Sequence, residues 1–209
     1  MLIELLQSRV SAGQFLAWVI GAAVAITVHE YAHARRALAA GDKTALASGR
    51  VTLNPLSHYD PIGTTLLIVA GFGWAKPVPV DPRNFRRPRT DALWVALWGP
   101  LSNILLAAFL AIFLRLDVLG RYTEAVKFIV LINCVLAVFN LIPIPPLDGS
   151  HILSALLPAD QARRFDHFYA RHGQLVMIAV LFLLFSGFGW KVLMIPIYGL
   201  YWMLTGSLF

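Results

Sequence analysis

Two histidines and a glutamate near the start of the chain have the types and spacing to bind and use a metal ion. His29, Glu30 and His33 form an H-E-x-x-H sequence. Four residues make roughly one helical turn, so both imidazoles project from one face of a helix and can bind the same ion. Glu30 is rotated away from that direction, so its carboxylate can reach a water on the metal instead of the metal itself. The motif predicts a zinc hydrolase site.

The helix that carries this motif is apolar enough to lie in a membrane. Hydrophobic residues dominate positions 15–38. Ionisable side chains are costly inside a bilayer and usually serve a function there. The alternative is a pair of histidines and a glutamate buried by chance, and a transmembrane position disfavours it.

A catalytic zinc ion usually has three protein ligands and a water, so a third ligand must come from elsewhere in the chain. The candidate is Asp148, in the segment NLIPIPPLDG at 140–149, whose prolines end an apolar helix. Irregular backbone at membrane depth is tolerated where it lines a cavity or lies inside protein. The alternative is that Asp148 only caps the helix expected to follow it. The cluster of prolines with Asn140 favours a ligand.

Composition places these residues in a membrane protein. Of the 209 residues, 58% are hydrophobic and 13% are charged, about half of the roughly 25% charged residues in a soluble domain. The formal charge of +6 raises the possibility of nucleic-acid binding. The basic residues lie between apolar runs, however, as they do in loops that face anionic lipid. We therefore expect a lipid bilayer and no nucleic acid as partner, and one domain over residues 1–209.

The apolar runs define the elements that must position the site. Five can span a bilayer: 15–38, 93–114, 126–142, 175–190 and 192–208. Another run, 64–75, would cover only about 18 Å of a core roughly 30 Å thick, so we expect it to enter the membrane and return. Stretches 49–53 and 76–80 are β-prone or extended, and Pro77 and Pro79 would put the second at a sheet edge if it is a strand at all. We predict an all-α polytopic membrane protein with about five transmembrane helices and a short re-entrant or β-hairpin region.

Charge distribution predicts the orientation. If run 64–75 does not cross, segments 35–90 and 143–173 share one side and hold most of the 17 Lys and Arg residues. The positive-inside rule makes that side cytoplasmic. His33 and Asp148 then lie towards the same face, as a shared metal ion requires. The residues before Gly13 have no small-residue cleavage site after them, so we expect a retained helix there.

The sequence resembles the site-2 protease family, the zinc-dependent intramembrane proteases, in its compact branch without a PDZ or CBS domain. The resemblance rests on HEYAH at 29–33, NPLSHYDPIGT at 54–64, GPLSN at 99–103 and NLIPIPPLDG at 140–149, which together cover about residues 15–157. It implies a catalytic core over that range, followed by C-terminal helices at 158–209. It also implies that His29, His33 and Asp148 bind one Zn²⁺ and that Glu30 activates water. Asn103 and Asn140 match the family's asparagines, which bind substrate or polarise its carbonyl.

The resulting hypothesis is a zinc-dependent endopeptidase that cuts transmembrane segments near the cytoplasmic face of a prokaryotic inner membrane, by Glu-assisted attack of a zinc-bound water. Exposed backbone at 49–53 and 71–80 is a candidate for pairing with an unwound substrate. The oligomeric state, including a homo-oligomer, is left open.

Two alternatives are a different membrane zincin with a glutamate ligand and a non-catalytic metal-binding protein or metal transporter. The first is disfavoured because Glu124, the only glutamate after Glu30, is expected on the far face. The second is disfavoured because the ionisable residues lie at one depth.

Three other polar residues have smaller predicted roles. His58 could contact a regulatory metal or hold a turn. Asp60 is expected to cap the segment after it, and Asn133 to form interhelical hydrogen bonds.

Overall fold

The computed structural model describes residues 11–71 and 73–207, which form helices joined by short irregular segments. The α-helices are α1 (Ala12–Ala40), α2 (Thr44–Ala47), α3 (Pro61–Ala70), α4 (Pro88–Arg115), α5 (Thr123–Asn140), α6 (Asp148–Leu156), α7 (Ala159–Phe185) and α8 (Phe188–Thr205), with 3-10 helices at Pro55–His58, Pro82–Asn84 and Gly120–Tyr122. This confirms the all-α fold class. No described residue is in a strand, so the β-prone stretches 49–53 and 76–80 are not strands. The helix expected before Gly13 falls mostly outside the described residues.

Length and composition allow three described helices to cross a membrane: α1, α4, and the helical segment Gly120–Asn140 that contains α5. α7 and α8 meet at 85° and together qualify as a fourth, broken span. The polytopic membrane fold is confirmed, but the described residues give three to four spans instead of about five. The difference arises at the C-terminal pair, because α7 begins with a charged amphipathic stretch and only its second half is apolar.

Helices α1, α4 and α5 form the frame that carries the site, and they pack through small residues. Ala25, Ala34 and Ala37 of α1, Ala107 of α4 and Ala137 of α5 are all fully buried. Small side chains let helix backbones approach closely, which favours helix association in a bilayer. The face of α1 that bears the two histidines is therefore held close to α4.

The short apolar run forms a helix, after which the chain turns back along it. Asp60 caps α3 as predicted, with its Oδ1 accepting from the Gly63 amide at 2.7 Å. Ten residues of helix cover about 15 Å, and Gly71, at φ 81°, then reverses the chain. A Cβ on Gly73 would lie 2.0 Å from the Gly63 carbonyl oxygen, so the returning backbone passes directly against α3.

A second close approach brings the start of α6 back to the bundle. A Cβ on Gly149 would lie 2.3 Å from the carbonyl oxygen of Leu141 and 2.4 Å from that of Ile142. Only glycine leaves room for this contact between α6 and the end of α5. The contact returns Asp148 towards α1 after the proline-rich segment.

Candidate active site

His29, His33 and Asp148, distant in the chain, meet in space. The Nε2 atoms of the two histidines are 3.0 Å apart. Asp148 Oδ2 lies 3.1 Å from Nε2 of His29, and Oδ1 lies 3.3 Å from Nε2 of His33. Among the described residues, this is the group of histidine, cysteine and acidic side chains that could hold a metal ion. The structure thus brings together the three residues that the sequence predicts to be metal ligands.

Asp148 does not cap a helix. The N-cap of α6 is Leu147, Asp148 is the first helical residue, and no side chain caps this end. The carboxylate is directed at the two imidazoles instead. The capping alternative from the sequence is therefore wrong.

The tautomer of His33 follows from its contact with a backbone carbonyl. His33 Nδ1 lies 2.7 Å from the carbonyl oxygen of Val95 in α4. A carbonyl oxygen only accepts hydrogen bonds, so Nδ1 carries the hydrogen and Nε2 of the neutral ring has a free lone pair. That lone pair faces His29 and Asp148.

The tautomer of His29 is set by a chain of buried amides. Asn103 Nδ2 donates to the Ala25 carbonyl at 3.0 Å and to Asn133 Oδ1 at 2.9 Å. Asn133 Nδ2 in turn donates to the Ile129 carbonyl at 2.8 Å. The remaining Asn103 oxygen lies 2.8 Å from His29 Nδ1, which therefore donates to it. The predicted interhelical role of Asn133 is confirmed, and Nε2 of His29 is also left with a lone pair.

Three acceptors therefore converge on one buried point, which favours a cation between them. Both histidines are less than a tenth exposed, and Asp148 Oδ2 is buried with no hydrogen-bond donor. Two imidazole nitrogens and a carboxylate are typical zinc ligands. Tetrahedral bonds of about 2.0–2.1 Å place ligand atoms roughly 3.3 Å apart, close to the observed separations. The residues present fit a zinc ion.

Gly99 makes the space in which the imidazoles meet. A Cβ at this position would lie 2.2 Å from His33 Nε2 and 2.8 Å from His29 Cε1. Gly99 lies within the GPLSN motif, but the motif alone did not predict a role for it. The available signal was a glycine inside an apolar helix, a position that often permits close approach of another group.

Glu30 lies beside the cluster and is held by a backbone amide. Its Oε2 accepts from the Val78 N–H at 3.1 Å. The sequence marked Val78 only as part of the stretch 76–80 and did not connect it with Glu30. The contact anchors one of the two carboxylate oxygens of Glu30.

The two predicted asparagines occupy different places. Asn103 is fully buried behind His29, and its amide nitrogen already donates to two acceptors. This arrangement favours a role in orienting His29. Asn140 donates to the Leu136 carbonyl, one turn back on its own helix, at 3.0 Å. The prediction that either amide contacts a substrate stays a prediction.

His58 is a buried turn residue. It is 2% exposed. Its Nε2 lies 2.9 Å from the Thr52 carbonyl, and its Nδ1 lies 3.2 Å from Arg50 Nη2. It does not belong to the metal-binding group found among the described residues. These contacts fit the structural alternative considered for His58.

Comparisons with known proteins agree with this geometry. Residues 118–184 match the model of peptidase family M50. The Bacillus subtilis (strain 168) protein named "Putative zinc metalloprotease YwhC" is 44% identical over 151 residues, covering 67% of this chain and 68% of that protein. The Mycobacterium tuberculosis (strain ATCC 25618 / H37Rv) protein named "Putative zinc metalloprotease Rip2" is 30% identical over 194 residues, covering 90% of this chain and 74% of that protein. No solved structure matches the chain significantly. The chain belongs to peptidase family M50, the site-2 protease family.

Proposed function

We propose that the chain is a zinc-dependent intramembrane endopeptidase, with one Zn²⁺ held by His29, His33 and Asp148. The observation that carries the proposal is the convergence of two Nε2 lone pairs and a buried carboxylate, with separations of 3.0–3.3 Å. The relatives named as zinc metalloproteases support the identity of the metal.

The position of the site along α1 supports cleavage within the membrane near its cytoplasmic face. α1 is one of the candidate spans, and it ends at Ala40. His33 precedes that end by about 10 Å along the helix axis. The basic segment that begins at Arg35 follows directly, and the positive-inside rule makes that side cytoplasmic. The bacterial sources of the relatives support a prokaryotic inner membrane.

The chain's own residues supply positioning and proton transfer. When bound, zinc would polarise the scissile carbonyl and make water more acidic. Glu30 accepts the proton of the attacking water at Oε1 as the new carbon–oxygen bond forms. It then delivers that proton to the leaving amine nitrogen as the carbon–nitrogen bond breaks. Asn103 and the Val95 carbonyl hold the two imidazoles with their Nε2 lone pairs directed at the ion.

Replacing Glu30 with glutamine tests the proposal. We expect cleavage of a membrane-embedded peptide to fall about 10²–10⁴-fold, because an amide cannot accept the proton, while bound zinc is retained. The assay uses purified protein in lipid vesicles, zinc quantification by mass spectrometry, and product masses that locate the cut. Glu124→Gln is the matched control, since Glu124 is exposed and pairs with Lys127 at the other end of the helical bundle.

Equal cleavage by the wild type and Glu30→Gln would reject the hydrolytic mechanism. Product masses that place the cut outside the transmembrane segment would reject intramembrane cleavage. Zinc flux across the vesicles without any peptide cleavage would favour the transporter alternative.

Asn103→Ala is expected to lower zinc affinity without removing a ligand. The variant leaves His29 Nδ1 without its acceptor, so the ring loses its fixed orientation and tautomer. Loss of such an outer hydrogen bond typically costs about 10–100-fold in metal affinity. Competition with a chromogenic chelator measures the change, and Gln161→Ala, which removes an exposed amide side chain on α7, is the control. Unchanged affinity would show that Asn103 does not orient the ligand.

A further inference from the structure

Arg50 is a buried cation that donates to two adjacent carbonyls of one irregular segment and to the ring of His58. It is 5% exposed. Its Nη2 donates to the Lys76 carbonyl at 2.5 Å, and its Nη1 donates to the Pro77 carbonyl at 3.2 Å. Burying a guanidinium is costly unless its donors are satisfied. Here Nη1 and Nη2 bind the carbonyls of residues 76 and 77 and the His58 ring, which offsets part of that cost, while Nε is buried without a hydrogen-bond partner.

His58 completes this arrangement as a neutral ring. Its Nε2 faces the Thr52 carbonyl and so carries the hydrogen, which leaves Nδ1 to accept from Arg50 Nη2. The backbone carbonyl of His58 also accepts from the Lys76 amide at 3.0 Å. We call residues 76–81 the strap. Arg50 and His58 therefore fix the start of the strap through hydrogen bonds.

The strap is fixed at its far end too. The Asp81 amide donates to Asp42 Oδ2 at 2.8 Å, and Asp42 is fully buried. Thr44 and the Asn84 amide also donate to Asp42, so the anchor is itself held in place.

Between the two anchors the strap presents one amide to the catalytic carboxylate. Pro77 and Pro79 have no N–H and fix φ near −65°, so the strap is stiff and Val78 is the only donor between them. That donor is the one bound to Glu30 Oε2. A planar guanidinium that holds two adjacent carbonyls gives the segment a defined position, which a flexible cation would not.

We propose that Arg50 is a positioning residue that, with His58, clamps the strap so that the Val78 amide holds Glu30 in place for proton transfer. This inference rests on the proposed role of Glu30 as the proton acceptor. It predicts that loosening the clamp slows the chemical step without removing any ligand or any catalytic group.

The first test needs neither zinc nor activity. Hydrogen–deuterium exchange followed by mass spectrometry compares wild type, Arg50→Gln and Arg163→Gln in the metal-free protein. Arg163 is the matched control because it lies on α7, its side chain is 78% exposed and it pairs with Asp160 on the same helix. We expect at least tenfold faster exchange in the strap of Arg50→Gln alone, with α4 and α5 peptides unchanged. Wild-type exchange in that strap would overturn the clamp.

The second test is kinetic and uses the strap itself. Val78→Pro removes the amide hydrogen while keeping extended backbone, and Val78→Ala keeps that hydrogen. We expect Val78→Pro and Arg50→Gln each to lower kcat on the order of 10–100-fold, as misplacement of a catalytic group does. Val78→Ala should stay near wild type, and Arg50→Lys should recover part of the loss. The Arg50→Gln, Val78→Pro double variant should be no slower than Val78→Pro, because both changes break one connection.

Each outcome discriminates. An unchanged kcat would overturn the proposal, because the strap would then have no part in the chemical step. A raised KM with unchanged kcat would also overturn it, because the strap would then act on substrate binding alone. If Arg50→Gln unfolds, faster exchange in α4 and α5 reveals it. The comparison of kcat between Val78→Pro and Val78→Ala then tests the role of the strap. If the wild type cleaves nothing, the proposed function fails, whereas the exchange measurement still decides whether Arg50 holds the strap.

Discussion

Asp148→Ala is expected to release the zinc ion and abolish cleavage. The variant removes the only negative charge among the three ligands and leaves two neutral imidazoles on one helix. Two ligands fall short of the three that catalytic zinc sites use. Asp148 Oδ1 and Oδ2 each face one imidazole, and among the described residues the group that could hold a metal ion contains no second carboxylate. We expect His29→Ala to behave in the same way.

Zinc content per chain, measured by mass spectrometry after purification in zinc-containing buffer, checks this expectation. The wild type should hold about one ion and both variants close to none. Asp160→Ala is the matched control, because Asp160 is exposed and pairs with Arg163 one turn along α7. Full zinc retention in both variants would eliminate the site, since neither His29 nor Asp148 would then be needed to hold the ion.

The parts of the site that could be predicted from the sequence are those with a local physical signal. The spacing of His29 and His33 matches one helical turn, so their common face follows from helix geometry alone. Asp148 could be identified because three prolines in an apolar stretch mark irregular backbone, and irregular backbone in a membrane must be buried in protein. The meeting of these residues then followed from one topological choice, namely that α3 does not cross.

The contacts that orient the site have no such signal. The bond from His33 to the Val95 carbonyl, and the amides between His29 and Asn133, exist only once α1, α4 and α5 pack. The resemblance to the site-2 protease family gave Asn103 a predicted role, but it could not show that the Asn103 amide nitrogen donates to both Ala25 and Asn133.

The β-prone stretch 76–80 forms no strand, for a related reason. Its hydrogen bonds go to the side chains of Arg50 and Glu30 and to the His58 carbonyl instead of another strand, and its prolines lack the amides of a ladder. A propensity scale cannot anticipate side-chain partners that are distant in the chain.

Gly99→Ala is expected to destroy the metal site although it replaces no ligand. A glycine-to-alanine change inside a helix normally stabilises a protein by roughly 0.5–1 kcal/mol. Here the new methyl carbon would lie 2.2 Å from His33 Nε2 and 2.4 Å from its Cε1. His33 cannot easily move aside, because its Nδ1 is hydrogen-bonded to the Val95 carbonyl. Val95 lies on α4, one turn before Gly99. The methyl group must therefore displace the imidazole, and with it the ligand nitrogen.

We expect the Gly99→Ala variant to lose zinc and cleavage to the same extent as Asp148→Ala, while its thermal stability in the metal-free state falls or stays level. Gly199→Ala on α8 is the matched control, since a Cβ there meets nothing within 4 Å. That variant should keep its zinc and gain a little stability. Zinc contents for wild type and both variants, with melting temperatures before and after chelation, separate the two effects. Wild-type zinc content in Gly99→Ala would show that the two helices can part by more than an ångström without losing the ion, and the close α1–α4 contact would then not be what sets the ligand geometry.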